Sequence, residues 1–180
     1  MDSVRGQLLI AGPTLLDPNF IRTVVLVVEH SDDGALGLVL NRPSETTVSE
    51  VVPELDVLVE RESRMFIGGP VDPSAVIVLA QFSEPDEAAV LSFENVGVLR
   101  TDSSLQNPPE LLAARGFAGH SGWGPGQLDS ELERDDWILE RARSEDAFCS
   151  DPDSLWSQAL ERKGGRDTLV ARMPLNPSLN

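Results

Sequence analysis

Apolar positions along the chain fall into short runs separated by turn residues. Gln7 to Ala11 is an apolar run that predicts a strand, ended by Pro13 and the Asp17-Pro18-Asn19 cluster. Thr23-Val-Val-Leu-Val-Val-Glu29 is apolar at consecutive positions and rich in β-branched residues, the pattern of a strand buried on both faces. Ser31-Asp32-Asp33-Gly34 has turn chemistry and Ala35 to Asn41 is apolar again, so residues 23–41 read as a β-hairpin. Further strands are predicted at 65–67, 75–80, 96–99, 115–118, 137–139 and 147–149.

Helical spacing is rarer. Thr47 to Leu55 predicts a short helix with Val48, Val51 and Val52 on one face. Asn107-Pro108-Pro109-Glu110 reads as the opening of a second helix, because proline is tolerated in a first turn. A third is expected from Pro125 as its first residue, with Leu128 and Leu132 packing inward. A last helix follows Asp151-Pro152-Asp153, turns Leu155, Trp156, Ala159 and Leu160 to one face, and ends at Gly164-Gly165. Strands and helices do not alternate strictly, and a hairpin leads. The pattern therefore predicts an α+β single domain with a mixed, mostly antiparallel sheet and flanking helices. One domain is expected over residues 1–172, with a frayed tail over 173–180.

Charge changes the functional picture more than the fold. Fourteen Lys and Arg face thirty Asp and Glu, a formal net charge of −16. Such a surface repels phosphate backbones and anionic lipid, which disfavours direct nucleic-acid or membrane binding. The single cysteine, Cys149, cannot form an intrachain disulfide. With no signal-peptide pattern and no apolar run of membrane-spanning length, the cytoplasm is the expected compartment.

The stretch Gly119-His120-Ser121-Gly122-Trp123 places a base beside a nucleophile. A nucleophile elbow needs glycine two residues before and two after the serine. Gly119 meets that need; Trp123 does not. Neighbours in an extended segment also point to opposite sides, so His120 is badly placed to serve Ser121. No catalytic residue is assigned, and a small hydrolase using Ser121 remains an alternative. Glu29, His30, Asp32 and Asp33 lack metal-ligand spacing, so no metal or cofactor is expected. Cys149 beside Phe148 reads as a small buried hydrophobe. Around Gly126 and Gln127 the start of a helix offers backbone N–H groups to an anion, although Asp129, Glu131 and Glu133 oppose one. Three glycine- or proline-marked corners follow strands and carry Arg42, Asp72 and Trp123. If they converge, Arg42 would hold an anionic ligand and Trp123 would stack on it. The alternative pairs Arg42 with a neighbouring carboxylate and buries Trp123 in the core.

Taken together, several motifs occur in a diagnostic order. They are Gly6-Gln-Leu-Leu-Ile-Ala11, Asp17-Pro-Asn-Phe20, Arg22-Thr-Val-Val25, Glu29-His30, Gly34 to Pro43, Gly68-Gly-Pro-Val71, Gly122-Trp-Gly-Pro-Gly-Gln-Leu128, Trp137 and Leu155-Trp156. In these the chain resembles the AlgH/YqgE family of bacterial proteins over nearly its whole length. The resemblance implies a single α+β domain with a partly barrel-like mixed sheet, found in the cytoplasm. The family label of transcriptional regulator comes from a genetic link to exopolysaccharide production, and no catalytic residues carry over. Where this chain has His120-Ser121, the family pattern usually reads Tyr-Ala, which argues against a catalytic pair. The resemblance and the acidic surface together lead to a non-enzymatic regulatory or binding protein, acting through a protein partner or a small anionic ligand.

Overall fold

The structure, a computed structural model, describes residues 2–59, 63–100 and 108–174. Its strands are β1 (Gln7–Ala11), β2 (Val24–Ser31), β3 (Gly34–Val39), β4 (Pro43–Thr47), β5 (Arg64–Ile67), β6 (Val71–Phe82), β7 (Val90–Phe93), β8 (Val96–Val98), β9 (Leu111–Trp123) and β10 (Trp137–Arg141). The helices are α1 (Val48–Val51), α2 (Gln127–Glu133), α3 (Ser144–Ala147), α4 (Leu155–Lys163) and α5 (Asp167–Ala171). One sheet runs β10-β1-β2-β3-β9-β6-β8-β7, with β5 paired to β4 and to β9. Neighbours are antiparallel except β5 and β9. The sheet curls until Ser92 of β7 donates its hydroxyl to the Val27 carbonyl of β2. That seam is a side-chain contact rather than a ladder, and the sheet is not closed into a barrel.

The two-sided burial expected of residues 23–29 is present. Val24, Leu26 and Val28 face one apolar cluster, and Val25 and Val27 face another. The first cluster is covered by α4, whose buried residues are the predicted Leu155, Trp156, Ala159 and Leu160. The second is covered by Leu128 of α2 together with Trp123 and Trp137. Burying each such side chain stabilises the fold by about 1.5–3 kcal/mol, which fixes the strand order around β1 and β2.

Several elements differ from the sequence expectation. Asn107 lies outside the described residues, and Pro108 to Glu110 form no helix. Leu111 instead begins β9, which pairs with β6 along one side and with β3 at its end. The Glu110 carbonyl already accepts from Ser83 N–H, so the chain is committed to strand pairing before Leu111. Pairing on a sheet outweighs the weak helix signal of two prolines. Residues 147–149 are not a strand. Ala147 ends α3, which Asp146 organises by accepting from the Arg143 N–H and from both amino groups of Arg162. That bidentate pair raises the pKa of Arg162 above its ordinary value, first through the hydrogen bonds to Asp146.

Pro125 precedes α2 rather than opening it. Gly126 takes φ 70° as the residue before the helix, so the helical backbone does not extend back to Pro125 and Gln127 is the first helical residue. The predicted helix over 47–55 divides into α1 and a 3-10 turn at Pro53, with Val48 buried and Val51 exposed. Strands β4 and β7 and helix α5 have no counterpart in the sequence reading. Of the expected frayed tail, residues 175–180 lie outside the described residues.

Candidate functional site

The feature that organises the candidate site is a buried amide. Asn41, just past β3, accepts from Val24 N–H through Oδ1 and donates from Nδ2 to the Arg22 carbonyl. It thereby ties the entry of β2 to the exit of β3. The carbonyl it holds belongs to a strained residue: Arg22 takes φ 54°, left-handed for a side chain other than glycine, at a cost of about 1–2 kcal/mol. The turn before it is closed by Phe20 and Ile21 N–H groups on the Asp17 carbonyl. The Arg22 guanidinium lies 4.7 Å from the ring centroid of Trp156. Trp156 is itself fixed, 5% exposed and donating its indole N–H to the Ala11 carbonyl.

Arg42 follows Asn41 and reaches back to donate to the Ile21 carbonyl at 2.5 Å. Arg22 donates to the Met173 carbonyl. The two arginines thus line one cleft of about 450 Å³, shared with Asn41, Asp153, Trp156 and Ser157. Each guanidinium has five N–H donors, and a backbone carbonyl takes one of them. Among the described residues neither arginine pairs with a carboxylate. Arg42 also borders a smaller, more apolar dent of about 200 Å³ between Pro18, Val39, Ile67 and Pro70.

A separate cavity of about 420 Å³ lies at the β2–β3 turn, lined by Glu29, His30, Asp33 and Trp123 among others. His30 accepts from Val4 N–H through Nδ1, which puts the proton of the neutral ring on Nε2. That nitrogen stands 3.9 Å from an Asp129 carboxylate oxygen. Glu29 and Asp33 outnumber the one arginine of its lining, Arg5, which sets this cavity against an anion.

Of the residues singled out by sequence, Arg42 lines the cleft, whereas Trp123 lines the cavity at the β2–β3 turn. Trp123 is 6% exposed, with Phe20 stacked at 6.3 Å and Trp137 edge-on at 6.1 Å. Asp72, the second residue of β6, takes a left-handed φ of 43° and accepts from Ser74 Oγ. At Gly126 the carbonyl receives both the N–H and the hydroxyl of Ser130. Gln127 closes its own turn, donating N–H to the Gly124 carbonyl and accepting from Gly124 N–H. Ser121 sits within β9, fully buried, and donates to the Gly68 carbonyl. The Gly68-Gly69 backbone passes so close to Gly119-His120 that a Cβ at Gly69 would lie 2.3 Å from the His120 carbonyl. Of the two glycines flanking His-Ser, Gly119 serves the same backbone contact, a Cβ there lying 2.7 Å from the Gly69 carbonyl oxygen, whereas Gly122 has room for one. Burial pushes the Cys149 thiol up, against the pull of the nearby Arg115 guanidinium, so it is held as a thiol. Arg22, Asn41 and Trp156 were not candidates in the sequence. Each lies in a segment that carries the family resemblance, but their meeting depends on the fold.

Comparison with known proteins places the chain. The AlgH-like family model (DUF179) matches residues 8–167. A Thermobifida fusca protein named UPF0301 is 40% identical, covering 99% of this chain and 96% of its own. A Mycobacterium tuberculosis UPF0301 protein is 42% identical, covering 97% and 90%. A crystal structure of a Corynebacterium diphtheriae protein superposes with a TM-score of 0.86 at 26% identity, covering 96% of this chain and 94% of that one. The solution structure of AlgH from Pseudomonas aeruginosa gives 0.73 at 27% identity, covering 97% and 96%. On the match to its family model and on the identity and coverage of these relatives, the chain belongs to the AlgH-like family.

Proposed function

We propose that this protein is a non-enzymatic binding protein whose ligand is a small anion held between Arg22 and Arg42. The observation that carries the reading is the pairing of two pinned guanidiniums in one cleft of a chain with a formal charge of −16. Guanidinium groups match carboxylate and phosphate geometry, and a group already fixed by a backbone carbonyl loses little further freedom on binding. The cleft volume suits a small molecule. A regulatory role fits the same geometry. Arg22 holds the Met173 carbonyl just after α5, so a ligand competing for Arg22 would alter the surface that α5 offers a protein partner.

Two other readings have less support. Hydrolysis by Ser121 would need an exposed hydroxyl, and this one is buried against Gly68. Direct binding of DNA would work against the net charge. The test is thermal unfolding with inorganic phosphate and with acetate, on wild type and on Arg42→Ala. Saturation at a hundred times Kd adds about 2.7 kcal/mol of stability, and the gain should vanish in the variant. Equal stabilisation of both proteins would remove Arg42 from the site. Wild type that labels with a serine-reactive probe more strongly than Ser121→Ala would restore the hydrolase reading.

A further inference from the structure

We infer that the ligand is a small aliphatic carboxylate, its head between Arg22 and Arg42 and its apolar group in the dent beside Ile67. This rests on the anion-site reading above and adds the chemistry of the rest of the molecule. Arg42 borders both spaces: the polar cleft of about 450 Å³ and the dent of about 200 Å³. One arginine shared by two cavities, its guanidinium on the Ile21 carbonyl at the cleft, sets a charged head next to an apolar tail. The dent is built from Pro18, Val39, Ile67, Gly69 and Pro70, which with Asn19 and Arg42 make up its lining. Ile67 is 50% exposed there although it belongs to a strand. An apolar side chain left uncovered beside a pinned cation is what a short hydrocarbon group would cover. Asp153 lines the cleft as well, so with Arg22 and Arg42 the charges of its lining sum to about +1, which a monocarboxylate neutralises more closely than a dianion does.

The dent walls come from rigid places. Val39 is a buried residue of β3, and Gly69 is held against His120 with φ 154°. Pro18 and Pro70 have fixed φ. The shape is therefore set before the ligand arrives, and an added methylene should count until the dent is full.

The experiment is calorimetric titration of the full chain with acetate, butyrate, hexanoate and octanoate, with hexan-1-ol as the uncharged counterpart and inorganic phosphate as the plain anion. Affinity should rise about twofold to fourfold per methylene and level off once the dent is filled. Hexan-1-ol should bind far more weakly than hexanoate. Arg42→Gln should weaken every carboxylate by about tenfold to a hundredfold. Ile67→Ser alters a half-exposed position and should flatten the chain-length series, with its fold checked by circular dichroism. A flat series in wild type, or a series unaltered by Ile67→Ser, overturns the aliphatic assignment and leaves the anion site standing. Hexan-1-ol binding as tightly as hexanoate overturns the carboxylate head. Absence of Arg42-dependent binding by any anion, phosphate included, overturns the underlying reading as well.

Discussion

Two corners of the molecule use aromatic and charged side chains to opposite ends. At the α2 corner, Glu131 accepts the indole N–H groups of both Trp123 and Trp137 on one oxygen and the Gln127 amide on the other. Phe20 and the two indoles pack against one another. The charge there is consumed inside the fold. At the cleft, Trp156 supports Arg22 from one side, while Arg22 and Arg42 each spend a bond on a backbone carbonyl and keep further donors toward open space. A closed network rigidifies; a network with donors left over is arranged for something else. The contrast separates residues that make the fold from residues that use it, although both corners are built from the same kinds of side chain.

The contrast can be broken most forcefully at Trp156, which serves both purposes. Trp156→Ala should cost about 3–5 kcal/mol by urea denaturation, and should also loosen Arg22 enough to weaken anion binding. Next comes Glu131→Ala, which strands two indole N–H groups at about 1–3 kcal/mol each. It should lower stability, measured the same way, while the affinity of the cleft for acetate stays within twofold. A parallel loss of affinity would show that the corners are coupled. Arg42→Ala is the reverse case: it should remove about 1.5–3 kcal/mol of anion binding and shift the unfolding midpoint little, as followed by calorimetry and circular dichroism on one preparation. The smallest effect on stability is expected for Arg22→Gly. Relief of left-handed strain, about 1–2 kcal/mol, opposes loss of the contact with Trp156, about 0.5–1 kcal/mol. The net change should be near 1 kcal/mol or less in denaturant, with anion affinity falling clearly.

Legibility in the sequence followed the range of the interactions involved. Strands β1, β2, β3 and β10 and the buried face of α4 could be read because their apolar spacing is local and repeats. Residues 24–28 announced two-sided burial by being apolar without a break. Helix α3 could not be read, since it depends on Asp146 meeting Arg162 across a long stretch of chain. The first half of β9 was hidden by Pro108 and Pro109, whose helical suggestion is weaker than a ladder with β6. Of the site, Arg42 alone stood out, as a cation at a turn after a strand. Arg22 and Trp156 come from the turn before β2 and from α4, and only folding brings them together. The left-handed backbone of Arg22 has no sequence signature, because arginine seldom adopts it.

The amide of Asn41 has a consequence in time as well as in space. By holding Val24 N–H and the Arg22 carbonyl at once, it makes the turn over residues 17–22 and the hairpin of β2 and β3 a single cooperative unit. The turn cannot open to water while the hairpin stays shut unless that side chain and the Arg42 guanidinium on the Ile21 carbonyl both let go. The exchange rate of a single backbone proton, the one on Val24, is then a clock for the whole cleft.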